Sequence, residues 1–166
     1  MRLSKDWIDY ECIDAGNGEK LERWGSVILR RPEPSAMWPI EKNNLWNNVD
    51  AVYNRSSNGG GSWNFIKKVP DFWIINYKNL KFKVSPTNFK HTGIFPEQAI
   101  NWDFMMNKIK TANRPIKVLN LFAYTGAATM ACSKVGASLV VHVDSSKGIV
   151  NWAKENMKLC NLENNY

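Results

Sequence analysis

The chain has 166 residues, of which 44% are hydrophobic, and it carries 22 Lys and Arg against 15 Asp and Glu for a formal charge of +7. That length and apolar content support a real core and exclude a disordered chain. No apolar run approaches the roughly eighteen residues of a membrane span, and Met1 to Tyr10 has no secretory core, so a cytoplasmic protein without a membrane partner is expected. The basic surplus favours polyanionic partners, nucleic acid first, through counterion release, with a solvated lysine surface as the plain alternative.

From Asp9 to Val84 short strand patterns alternate with turns: "YECID", "GNGEK" and "WGSVILRRPEP", then "GSWNF" and "FWIINYKNLKFKV". In the last of these Leu80, Phe82 and Val84 alternate with Lys81 and Lys83, as in a half-buried strand with a basic outer face. "NRSSNGGGS" reads as a flexible loop. Trp24, Trp38, Trp46, Trp63 and Trp73 fall among Arg23, Arg30, Arg31, Lys67 and Lys68. Aromatic rings among cations can stack on unpaired bases, and they can equally form the core of a small β-domain. A β-rich domain over residues 1–85 is expected.

Beyond "SPTNFKHTGIFPEQ" the period changes to that of a helix, with Ala99, Trp102, Met106 and Ile109 on one stripe and Pro96 in the first turn. "RPIKVLNLF" reads as a buried strand, "TGAATMACSKV" as a helix stopped by Gly136, and "ASLVVHVD" as a second buried strand. Ser145 or Ser146 can cap a third helix whose stripe is Ile149, Trp152, Asn156 and Leu159. Residues 86–166 therefore form an α/β domain.

Strand, helix, strand, helix opens a parallel sheet whose ligands bind beyond the carboxyl ends of its strands. Gly126 and, eighteen residues later, Asp144 stand at those ends. The glycine lets a ligand approach the backbone, and the aspartate can accept hydrogen bonds from ribose hydroxyls. A turn glycine and an acidic helix cap are the structural alternative. Ala127 and Ala128 follow a lone glycine, whereas a dinucleotide site crowds three glycines around a pyrophosphate. A nucleoside cofactor without phosphate, such as S-adenosylmethionine, fits better than a nicotinamide cofactor.

Cys12, Cys132 and Cys160 follow no metal-ligand spacing and read as reduced, partly buried thiols; His91 and His142 are too isolated to suggest zinc.

"HTGIFPEQ" with "KVLNLFAYTGAATMAC", "GASLVVHVD" and "NWAKEN" resembles the class I S-adenosylmethionine-dependent methyltransferases related to the bacterial 23S ribosomal RNA enzymes that make 5-methylcytosine or N2-methylguanine. The resemblance is close over residues 91–162. It implies a Rossmann-like sheet, with Asn120 and the run Phe122, Ala123, Tyr124, Thr125 and Gly126 at the methionine end of the cofactor. Asp144 would lie on the ribose, Ser145 and Ser146 beside the adenosine, and Phe95 and Gln98 in a covering segment. The family often carries an arginine or aspartate near the end of that segment, where this chain has Pro96-Glu97-Gln98-Ala99.

The resemblance further implies a seven-stranded sheet with a catalytic loop of Asp-Pro-Pro type after the fourth strand. The chain holds "RPEP" and "VPD" but not that motif, so it is expected to be the N-terminal part of such an enzyme, inactive alone, with catalytic residues beyond Tyr166 and an apolar strand edge open to a second copy. Methylation of RNA, ribosomal RNA in particular, is the leading reading. Methylation of a protein or small molecule, a non-catalytic nucleic-acid-binding module and a nicotinamide-dependent oxidoreductase are the rivals.

Overall fold

The computed structural model describes residues 4–163 apart from Lys42, Asn58 and Asn88. Nine strands and three α-helices follow in the order β1 (Tyr10–Gly16), β2 (Glu19–Trp24), β3 (Val27–Pro32), β4 (Ala51–Arg55), β5 (Gly61–Phe65), β6 (Trp73–Tyr77), β7 (Leu80–Val84), α1 (Ala99–Lys110), β8 (Lys117–Leu121), α2 (Ala127–Lys134), β9 (Leu139–Val143) and α3 (Lys147–Leu159). The β-rich half and the following α/β half agree with the sequence reading. No helix among the described residues is long and apolar enough to cross a membrane.

The chain forms two compact units, one of Met1–Asp6, Asn76–Lys83 and Ile94–Tyr166, the other of Trp7–Ile75 and Val84–Gly93. Their segments alternate along the sequence; the sequence reading places a boundary after residue 85, and residues 1–3 and 164–166 at the ends of that reading lie outside the described residues.

In the unit of Trp7–Ile75 and Val84–Gly93, strands β1 to β5 make one sheet in sequence order. All neighbours are antiparallel except β3 and β4, which pair in parallel through Leu29 with Ala51 and Arg30 with Val52. The expected loop "NRSSNGGGS" is largely a hairpin: β4 runs to Arg55, β5 starts at Gly61, and Ser56 N–H donates to Gly60 O at 3.2 Å, with Asn58 outside the described residues. Of the five tryptophans, Trp24 and Trp46 are buried, Trp63 and Trp73 half-buried and Trp38 exposed, so the core reading accounts for some of them and not all.

The same unit buries an ion pair. Arg31 Nε donates to Glu22 Oε2 at 2.6 Å and Arg31 Nη2 to Glu22 Oε1 at 2.9 Å, a bidentate pairing that Tyr10 Oη joins at 2.8 Å. Burial pushes the Glu22 carboxyl up, but the Arg31 guanidinium and its hydrogen bonds outweigh that and hold it below the ordinary range.

In the other unit, Tyr77 and Phe82 of the β6–β7 hairpin pack their rings on Trp102 of α1, at centroid distances of 5.7 and 5.6 Å. Leu80 and Phe82 are fully buried in the expected alternation, as is Val84, which belongs to the unit of Trp7–Ile75 and Val84–Gly93, and Ala99, Trp102 and Met106 form the buried stripe of α1. Strands β8 and β9 pair in parallel, Asn120 opposite His142 and Leu121 opposite Val143. Helix α2 crosses between them on the face that carries Asn120 and His142.

Both strands were expected to be buried, and this is corrected: Leu119, Leu121, Leu139, Val141 and Val143 are 42–62% exposed. They share the face opposite α2, and no described residue covers it. Cys12 is likewise exposed, against the expectation of three partly buried thiols, while Cys132 and Cys160 are buried. Burial pushes the Cys132 thiol up to about 11 and raises that of Cys160, which disfavours the thiolate at both.

Candidate cofactor cleft

The loop from Phe122 to Gly126 joins the carboxyl end of β8 to α2 and has an unusual backbone. Phe122 and Tyr124 sit at φ 51° and Gly126 at φ 85°, all in the left-handed region. Only the last is a glycine, so the other two depend on external ties. Ala123 N–H donates to Val143 O at 3.0 Å and Tyr124 N–H to Asp144 Oδ2 at 2.9 Å. Thr125 O accepts from Asn156 Nδ2 at 2.9 Å. Strand β9, the residue after it and helix α3 thus fix the loop from three sides.

Gly126 is the N-cap of α2. A Cβ there would lie 3.0 Å from Met130 Cε and 3.2 Å from the Ala153 Cβ on α3. The glycine therefore meets both a backbone and a packing demand.

Asp144 accepts at both carboxylate oxygens, from Tyr124 N–H and, at 3.0 Å on Oδ1, from Ser146 N–H. The N–H groups of Ser146 and Tyr124 hold its carboxyl below the usual range, so it is an anion at neutral pH. Ser146 caps α3, its hydroxyl accepting from Ile149 N–H at 3.4 Å; Ser145 does not take that role.

Beside the loop lies a cleft of about 460 Å³. One wall is the loop and the start of α2, from Phe122 to Thr125 with Ala127 and Ala128, beside Asn120 of β8; the other runs from Ile94 through α1 to Met105. Phe95 and Tyr124, both in the lining, pack their rings on one another at a centroid distance of 5.2 Å, tilted by 40°. Asn101 Nδ2 donates to Gln98 Oε1 at 2.8 Å, which leaves the Gln98 amide hydrogens as donors. Glu97 is the charged side chain of the lining, which contains neither Lys nor Arg.

The cleft thus brings together Phe95, Gln98, Asn120, Phe122, Ala123, Tyr124 and Thr125 of the expected residues, while Gly126, Asp144, Ser145 and Ser146 are not among its lining. The sequence reading missed Glu97, Asn101 and Met105 as lining residues. The signal for the last two is a second helical stripe, Gln98, Asn101 and Met105, beside the buried one; Glu97 is not on it. It also missed Thr129 and His142 beneath the floor. Asn120 Nδ2 donates to Thr129 Oγ1 at 2.9 Å, and Thr129 Oγ1 lies 3.0 Å from His142 Nδ1.

These residues suit a cofactor without phosphate. An uncharged wall of small residues follows the lone glycine, and the lining offers no cation for a pyrophosphate. Aromatic faces and a carboxylate suit a cationic end, such as a sulfonium or an ammonium.

Residues 35–164 match the family profile described as S-adenosylmethionine-dependent methyltransferase. A ribosomal RNA large subunit methyltransferase K/L from Shewanella frigidimarina is 40% identical over 82 residues, 49% of this chain and 11% of its own. Its counterpart from Pseudoalteromonas translucida is 27% identical over 117 residues, 70% of this chain and 16% of its own. Among solved structures, a SAM-dependent methyltransferase from Agrobacterium tumefaciens is 41% identical with a TM-score of 0.90, over 96% of this chain and 51% of that one. The matched segments make up only 11% and 16% of the length of these curated relatives, and this chain covers about half of that solved structure.

Proposed function

The chain belongs to the S-adenosylmethionine-dependent methyltransferase family, and from that premise we propose that its cleft binds S-adenosylmethionine and that it carries the cofactor-binding part of an enzyme methylating RNA in the cytoplasm, ribosomal RNA in particular. The observation that carries the reading is the loop Phe122–Gly126, held at the end of β8 by Asp144 and Asn156 against a cleft that lacks cations.

In this reading Glu97, with the rings of Phe95 and Tyr124, takes the cationic end of the cofactor, and the start of α2 beside Ala127 favours its carboxylate. Asp144 keeps lone pairs for ribose hydroxyls while both oxygens pin the backbone. Ser145 and Ser146 stand next to it for the adenosine. Bound there, the cofactor supplies an electrophilic methyl group; the chain's own residues bind and orient it. RNA as the substrate is supported by the charge of +7 and by the names of the curated relatives.

Titration calorimetry with S-adenosylhomocysteine and NADH tests the cofactor. The expected result is saturable binding of the first, weakened at least about tenfold by Asp144→Ala as two charge-assisted backbone bonds and the ribose acceptor are lost, and none of the second. Tighter binding of NADH refutes it.

A further inference from the structure

We propose that Thr129 and His142 are positioning residues that hold the Asn120 amide with its oxygen turned to the cleft, so that the cleft selects ligands presenting a hydrogen-bond donor there. The inference rests on the reading of the cleft as the cofactor site.

Asn120 and His142 are register partners on adjacent parallel strands and share the face under α2. Thr129, buried in α2, reaches both. The Asn120 amide nitrogen donates to its hydroxyl at 2.9 Å, and His142 Nδ1 lies 3.0 Å from that same oxygen. A hydroxyl carries one proton. Its oxygen has two lone pairs, so the distance alone leaves the direction of the His142 bond open; in the proposed relay Thr129 accepts from Asn120 and gives its proton to His142 Nδ1, which is then bare. The imidazole is neutral and its proton sits on Nε2.

The buried end of the relay keeps the ring neutral. His142 Nε2 is buried and has no hydrogen-bond partner among the described residues. A cationic ring would leave a charged N–H unanswered there, which is costlier than a neutral one. Burial accordingly lowers the His142 pKa, with the Asp144 carboxylate opposing in part.

With its nitrogen committed inward, Asn120 offers Oδ1 to the cleft it lines. Reversal would require a proton on His142 Nδ1, a swing of the Thr129 hydroxyl and a half-turn of the amide, all together. The cleft would then meet an amide donor instead of an acceptor. An acceptor joins Glu97 and the packed rings of Phe95 and Tyr124 in a lining without cations, and the matching ligand group is an ammonium.

The test uses the full chain. Ring 15N shifts report the His142 tautomer without any ligand, and the expected form is protonated at Nε2 and bare at Nδ1. Calorimetry then compares S-adenosylhomocysteine with 5′-methylthioadenosine, which lacks the amino-acid end, in the wild type, in Thr129→Val and in Thr129→Ser. Thr129→Val is expected to bind S-adenosylhomocysteine about tenfold more weakly, the loss of about one oriented hydrogen bond, with 5′-methylthioadenosine unchanged. Thr129→Ser, which keeps the hydroxyl, is expected within about twofold of wild type on the same grounds. An Nδ1-protonated His142, or a Thr129→Val chain that keeps the wild-type ratio of the two affinities, overturns the proposal. Should Thr129→Val not fold, the tautomer decides. A wild-type chain that binds neither compound overturns the cofactor reading and the ligand selection with it, and an Nε2-protonated His142 in that chain shows that the failure lies with the cleft rather than the relay.

Discussion

Substituting Gly126 by alanine separates two costs that the structure predicts at different sizes. At φ 85° the new side chain meets the left-handed penalty, about 1–2 kcal/mol. Its Cβ also lies 3.0 Å from Met130 Cε and 3.2 Å from Ala153 Cβ. The Met130 methyl can swing aside, but the Ala153 Cβ moves only with α3, which puts the packing cost near the low end of overpacking, about 1 kcal/mol. The total is about 2–3 kcal/mol. Gly136 supplies the control, since it has φ 91° and a Cβ there would meet nothing within 4 Å. Gly136→Ala therefore carries the backbone cost alone, about 1–2 kcal/mol. Urea unfolding followed by far-ultraviolet circular dichroism measures both, and a double-mutant cycle of Gly126→Ala with Ala153→Gly should return a coupling of about 1 kcal/mol. Equal destabilisation by the two alanines, with no coupling to Ala153, refutes the close approach of the loop to α3.

Asn156→Ala removes a side chain that donates to Thr125 O and accepts from Lys83 N–H at 2.8 Å. With a cavity added to two buried hydrogen bonds, the expected loss is about 2–4 kcal/mol in urea unfolding, with faster exchange of the Lys83 amide. An unchanged Lys83 amide would refute its role. Acid should weaken the fold in two stages. His142 and His91 titrate below the ordinary histidine value, the first through burial and the second through burial and the nearby Arg31, so the unfolded chain binds the extra protons. Stability then begins to fall as pH drops through about 6.5. Glu22 and Asp144, both held below their ordinary values, add a loss that starts below about pH 4.5 and continues through their folded values. Unfolding free energies measured at pH 8, 6 and 4 check this, and a flat profile from 8 to 4 refutes it.

The sequence made the order of elements in the α/β half legible, because each boundary has a chemical marker: Pro96 before α1, Gly126 and Gly136 around α2, Ser146 before α3. Half of the cleft lining followed, since Asn120 and the loop behind it are contiguous. Burial of β8 and β9 did not follow. An apolar run shows that both faces of a strand can be covered, and it does not show which covering layers are present. The direction of the Asp144 carboxylate was also hidden. The strand end places it correctly, yet its hydrogen bonds to Tyr124 and Ser146 depend on a loop held in the left-handed region by residues that are not glycine. Thr129 and His142 escaped notice because a lone polar residue in an apolar pattern carries no partner's address until the strand register is known.

The bare row of Leu119, Leu121, Leu139, Val141 and Val143 alters how one common assay reads. Fluorescent dyes such as anilinonaphthalene sulfonate bind exposed apolar surface, and their brightening is ordinarily taken as a sign of a loosened, molten state. Here the folded sheet already offers such a surface. Dye fluorescence at neutral pH then carries a contribution from this face of the sheet, and loss of tertiary order has to be followed through near-ultraviolet circular dichroism instead.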